Sequence, residues 1–360
     1  MRVTRSLGIA ALVLALAMAG LAMGDDSSAD RGDVRPPSPA RQSAPVYRVQ
    51  AGIDGEIYPV FANYASLQKQ KERTFGVVAV TISNATQMAL LQHVSVTVSG
   101  WSDEEIQIAE VPAGGVRTLL FAPSFQPRFY QNREIIAATA RVSVRMADGQ
   151  TAYETTVPVR LRSAEDIYWG TDFKYAPFIA SWVTPHDGLV EQLLAEAKEY
   201  TPDHRLPGYE DWKGPKQQEQ ETYIEAKAIF NAVKQGGFSY VKSSLTLGDH
   251  SSVSERVRMP HVSLANNSAN CIDAAVMYAS LFENLAMEPS IIVVPGHAYV
   301  AVKVAQGSDK FLYIDVAQTG RTTFELAVEA ARSGMERSDP QSVTQVNIPE
   351  ARSVGIYPMP

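Results

Sequence analysis

Cys271, in the stretch SANCIDAAVMYA, is the only cysteine in 360 residues. It forms no disulfide within the chain, so it is either a small apolar filler or a working thiol. A thiol becomes a useful nucleophile when a base stands within hydrogen-bond reach and a third group fixes the tautomer and orientation of that base. His297, in GHAYVAV, and Asp315, in FLYIDVAQ, follow the cysteine in that order. Each alone reads as ordinary: a packed helix Cys, a satisfied strand His, an Asp at a strand end. Together they point to nucleophilic catalysis.

The local sequence says how such groups would be held. Asn270 is a good helix N-cap and Asp273 stands where a capping-box acid reaches back, which puts Cys271 at the first helical position. A thiolate there meets free N–H groups and the positive end of the helix dipole. The helix CIDAAVMYASLFENLAM aligns Cys271, Ala275, Tyr278 and Phe282 on one stripe, facing the rest of the domain. SIIVVPG reads as a buried strand, and HAYVAVKV as a second, with His297, Tyr299, Ala301 and Lys303 on one face. QGSD turns the chain and KFLYIDV returns it. Closure through residues 305–307 pairs Val304 with Ser308 and sets His297 directly opposite Asp315; longer closure, with Ala305 opposite Lys310, sets Gln318 there instead. The tighter register is the expected one. Asp273 is a poor rival for the third group, because positions two apart on a helix point to different faces.

The order NCIDAAVMYASLFENLAMEPSIIVV, then GHAYVAV, then FLYIDVAQ resembles the core of the transglutaminase-like superfamily over residues 265–320. The resemblance implies a papain-related α+β fold and acyl transfer through a thioester. By it, Cys271 attacks a carboxamide or peptide carbonyl, His297 shuttles the proton and Asp315 orients His297. It also asks for an oxyanion-hole side chain beside the backbone N–H of the cysteine; Asn266, Asn267 and Asn270 are candidates, with capping and turning as their plainer roles.

The rest of the chain bounds the setting. Arg2 and Arg5, the apolar run IAALVLALAMAGLAMG and small residues ending at Ala19 or Gly24 read as a cleaved signal peptide over 1–24, the alternative being an uncleaved membrane anchor. The expected location is therefore periplasmic or extracellular. No cysteine stands near this segment to carry a lipid. Its removal takes two positive charges from a net charge of −7, leaving −9, which argues against a basic nucleic-acid-binding face. Residues 25–45, rich in Ser, Pro and charge, read as a disordered linker. The remaining ~335 residues suggest two domains. From 46 to 165, short alternating runs at 77–82, 93–98, 106–111 and 140–146, with an Asp148-Gly149 hairpin signal, suggest an antiparallel immunoglobulin-like β-sandwich. From 166 to 360 the pattern is α+β: helices near 188–200 and 219–234, the strand candidate FSYVKSSL, a polar arm containing Asp249, His250 and His261, then the cysteine helix. Tyr168, Trp169 and Trp182 read as core or seam. TFELAVEAARSGM reads as a covering helix and VTQVNIPEARSVGIYPMP as an extended tail.

The six histidines, at 93, 186, 204, 250, 261 and 297, show no paired spacing, so neither a metal site nor a cofactor is expected. The function expected is an exported cysteine hydrolase or acyltransferase acting on peptide or amide bonds, with a peptide or protein substrate such as a cell-wall peptide or surface protein. The alternatives are an inactive binding or assembly module that keeps the fold, and a metal-dependent hydrolase indifferent to Cys271.

Overall fold

The computed structural model describes residues 44–210, 214–242 and 253–360. The signal segment, nearly all of the expected linker, and Asp249-His250 lie outside them. Among the described residues no helix is long and apolar enough to cross a membrane. The fold is mixed α and β and divides into two units. One comprises residues up to Ile57 with Gln68–Gln126 and Ala137–Arg160; the other comprises Tyr58–Leu67, Pro127–Ile136 and Leu161–Pro360. A single cut near 165 was expected. Two segments from the strand-rich half join the second unit, and the final crossing falls at Arg160.

The first unit carries β1 (Val46–Ala51), β2 (Glu56–Ile57), β3 (Val78–Ser83), β4 (Leu90–Val98), β5 (Glu105–Val111), β6 (Val116–Phe121), β7 (Ile136–Met146) and β8 (Thr151–Leu161). They form a three-stranded sheet, β1-β3-β6, and a five-stranded one, β2-β8-β7-β4-β5. The pairs β1–β3, β3–β6, β4–β5 and β4–β7 are antiparallel. Alternation sets the faces: Val94, Val96 and Val98 of β4 and Val142 and Val144 of β7 are buried, while Arg141 and Arg145 are exposed. The turn between β7 and β8 forms at Asp148-Gly149, with Gly149 at φ 86° and its N–H bonded to the Met146 carbonyl.

The second unit draws α1 (Pro59–Leu67) and α2 (Pro127–Tyr130) from the earlier segments. Phe61 and Tyr64 of α1 meet Phe178 edge-on, with ring centroids 4.8 and 5.1 Å away. That aromatic packing outweighs the strand-rich surroundings in sequence. Next come β9 (Asp166–Tyr168), α3 (Gly188–Ala197), α4 (Pro215–Gln235), β10 (Ser239–Tyr240), β11 (Ser254–Arg256), α5 (Pro260–Ala265), β12 (Ser268–Ala269) and α6 (Cys271–Asn284). They are followed by β13 (Pro289–Val294), β14 (His297–Lys303), β15 (Phe311–Ile314), α7 (Phe324–Arg337), β16 (Thr344–Asn347) and α8 (Ile348–Ser353). The sheet β15-β14-β13-β16 is antiparallel throughout. All of β13 is buried, so both faces of the sheet are covered. Ile292, Val294, Tyr299 and Ala301 pack with Ala331 of α7, and α6 packs on β13 and β14.

The expected extended tail is instead an edge strand and a helix. Asn347 caps α8 by accepting the Glu350 N–H, and Arg352 pairs with Glu283 of α6 while donating to the carbonyls of Ala180, Val183 and Ile356. Nothing local in the sequence announces that anchor.

Candidate functional site

Cys271 is the first residue of α6, and the capping box is complete. The Asn270 side chain accepts the Asp273 N–H at 2.8 Å, and the Asp273 carboxylate accepts the Asn270 N–H at 3.4 Å. The same carboxylate accepts the Arg258 N–H at 2.9 Å and pairs with Arg258 Nε at 3.4 Å. Arg258 in turn donates to the Ser268 carbonyl. Asp273 is fully buried, which pushes its carboxyl up to about 6 despite these partners. The first turn of α6 is thus tied to the segment that precedes α5. Cys271 itself is partly exposed and reduced.

His297 opens β14, and Asp315 follows the last residue of β15. The imidazole Nε2 lies 3.0 Å from Asp315 Oδ1. The expected contact forms, but through neither expected register: the ladder pairs Val300 with Ile314 and Lys303 with Phe311. Asp315 therefore lies just past the ladder, level with Tyr299, and reaches His297 diagonally, within the span of two such side chains. The cause is the loop. Val304 donates to the Lys310 carbonyl, so the connection is Ala305–Asp309, and its backbone is held by Gln218, which accepts Gln306 N–H, and by Glu288, which accepts Gly307 N–H. Those tethers come from distant residues.

The His297 side chain is 27% exposed and that of Asp315 is 8% exposed. Burial of the ring disfavours its charged form, but the hydrogen bond to Asp315 and the adjacent Cys271 outweigh this and push the imidazole up to about 9. With Nε2 engaged, Nδ1 is the nitrogen left for the thiol. Gln318 Nε2 supports the second carboxylate oxygen at 3.4 Å. Tyr299 presents its ring to that of His297 at 81° and 4.7 Å between centroids, and its hydroxyl fills the space over Gly334, where a Cβ would sit 2.1 Å away. A glycine inside α7 lets this tyrosine, and through it the imidazole, sit where it does.

Of the three asparagines, Asn270 has its side chain committed, while Asn266 and Asn267 are held through their backbones. Asn266 caps the C-terminus of α5; exposed Asn267, at φ 45°, gives its carbonyl to Ser239 N–H; the Asn270 side chain is committed to the cap. One phenol that feels the charge of Cys271 is that of Tyr240. β10 runs parallel to β12 with Tyr240 level with Ala269, two residues before Cys271. Burial raises the Tyr240 phenol, and the charges of Cys271, Asp315 and Asp273 raise it further, so it stays a proton donor. FSYVKSSL gave the signal of a strand there, but its partner is set by long-range pairing. His204 pairs with Glu199 and His261 with Asp187, each at the surface. Trp182 is fully buried and Trp169 nearly so.

No protein-family model matches this chain, and no curated protein does. Among solved structures, a FixG-related protein from Vibrio parahaemolyticus is similar at 12% identity over 34% of this chain and 97% of that one, with a TM-score of 0.22, too low to bear on fold or function.

Proposed function

We propose that this protein is an exported, transglutaminase-like cysteine hydrolase or acyltransferase that acts on peptide or amide bonds through a Cys271 thioester. The observation that carries the reading is one imidazole bonded to a carboxylate and coupled to the sole thiol, which opens a capped helix. The thiol proton passes to His297 Nδ1, and the sulfur adds to the substrate carbonyl. The oxyanion takes hydrogen bonds from N–H groups of the first turn of α6 and from the Tyr240 hydroxyl. Collapse breaks the C–N bond, the imidazolium gives its proton to the departing amine, and a thioester remains. Water then loses a proton to His297 and adds to the thioester, releasing the acid and the thiol. Asp315 holds the ring throughout. Water resolves the thioester in this scheme because sulfur and ring are both partly exposed.

On the same reading the strand-rich unit is an immunoglobulin-like sandwich, supported by its antiparallel pairs and one-sided burial. The basic, apolar N-terminal sequence supports export to the periplasm or exterior. The test is incubation of wild type and Cys271→Ala with a peptide-amide library under mass spectrometry. Acid products formed by wild type and absent with the variant support hydrolysis. Identical, unreacted libraries overturn it and favour the inactive binding module.

A further inference from the structure

The chain from Val316 to Thr322, which leaves the catalytic carboxylate, is unusually well fastened. Thr319 shares a hydrogen bond with Tyr278 of α6 at 3.0 Å, both groups being fully buried. Lys234 at the end of α4 donates to the Thr322 carbonyl at 2.7 Å, and Arg321 N–H donates to the Gln318 carbonyl at 2.8 Å. Gly320 lies so close to the strand bearing Tyr240 that a Cβ there would stand 2.1 Å from the Phe238 carbonyl oxygen. The outcome of this fastening is the position of one side chain. The Arg321 guanidinium sits 5.9 Å from the centre of the Tyr240 ring, and its charge acts on the same hydroxyl that feels Cys271.

Arg321 is exposed and forms no ion pair among the described residues. The neighbouring carboxylates are already used, Asp315 by His297 and Asp273 by Arg258. By contrast Arg162 is spent on Asp166, Arg256 on Glu165 and Arg352 on Glu283. A guanidinium is a forked donor suited to carboxylates, and Arg321, lying over the Tyr240 ring with no ion pair among the described residues, keeps that fork open to an incoming one.

We propose that Arg321 is a specificity-determining residue that pairs with an anionic group on the substrate, so that the site prefers amide or peptide bonds with a carboxylate close to the carbonyl attacked by Cys271. This rests on Cys271 being the nucleophile. The test uses two alkylating agents of nearly equal size, iodoacetate and iodoacetamide, each forming a C–S bond to Cys271 with loss of iodide. Their rate ratio reads the anion preference, and the iodoacetamide rate alone reads the thiolate. In Arg321→Gln the iodoacetate-to-iodoacetamide ratio falls roughly 3-fold, the effect of one unit charge meeting the reagent's carboxylate at about 6 Å in an aqueous dielectric. Arg321→Lys retains much of the ratio, and high salt compresses it in wild type, as for any exposed charge. An unchanged ratio in Arg321→Gln overturns the proposal, as does a folded wild type refractory to both reagents. Failure of the catalytic reading shows elsewhere, as an iodoacetamide rate unaffected by His297→Ala.

Discussion

Replacing Asp315 by Asn keeps the shape of the side chain and removes its charge. In the wild type the carboxylate lies 3.0 Å from His297 Nε2, with both side chains largely shielded from solvent. Charge centres ~4 Å apart at an effective dielectric of ~40 interact by roughly 2 kcal/mol, or about 1.5 pKa units. Burial of the ring and the charge of Cys271 remain, so the imidazole should fall well below its wild-type value of about 9 in Asp315→Asn. Two-dimensional NMR of the imidazole C–H groups reads this directly; the chain has six histidines, and His297→Ala identifies the resonance. The stability sign follows from linkage. His297 binds its proton more tightly when folded, so its contribution is complete below the unfolded value near 6.5 and is lost as pH rises through about 9. In Asp315→Asn that loss comes at lower pH. A His297 midpoint that stays put in Asp315→Asn, or a wild-type midpoint near 6.5, would refute the reasoning.

Three further substitutions probe separate links. Gly334→Ala should gain up to ~1 kcal/mol of helix propensity yet show no rise in Tm, because the new methyl displaces the Tyr299 hydroxyl, and iodoacetamide labelling of Cys271 should slow with it. Glu225 is buried on α4 with Oε1 unpartnered and Oε2 accepting Gly208 N–H, and burial pushes it up to about 8. A raised acid stabilises the fold at low pH and loses that contribution as pH rises through its folded value, so Glu225→Gln should raise stability by roughly 3 kcal/mol at pH 9 and little at pH 5, measured by urea unfolding. Tyr240→Phe removes the hydroxyl proposed to bind the oxyanion, so kcat for amide cleavage should fall about 10²-fold with KM little changed; equal loss in KM would assign the hydroxyl to ground-state binding instead.

Local signals carried much of this arrangement. The capping box at Asn270 and Asp273, the helix start at Cys271 and the His-bearing strand were legible because caps and periodicity act over a few residues. The His297–Asp315 meeting was expected and occurs, but the register that delivers it depends on Gln218 and Glu288 holding the hairpin loop. Tyr240 carries no local signal for the same reason: a two-residue strand gains its meaning only from pairing with β12. Of the three asparagines close to Cys271 in sequence, Asn270 spends its side chain on the cap, and Asn266 and Asn267 are bonded through their backbones. Segments 58–67 and 127–136 join the second unit through packing such as Phe61 on Phe178, which no window of local sequence contains.

The most direct measurement is intact-mass spectrometry of the protein mixed with a nitrophenyl ester, followed by neutral hydroxylamine. The expected result is a stoichiometric burst of nitrophenol, one acyl group on Cys271 that hydroxylamine removes, and acylation at least 30-fold slower at pH 7 in His297→Ala, since an ordinary thiol is only a few per cent ionised there. Equal acylation rates in wild type and His297→Ala, or an acyl group borne elsewhere than Cys271, would contradict a thiol activated by that imidazole.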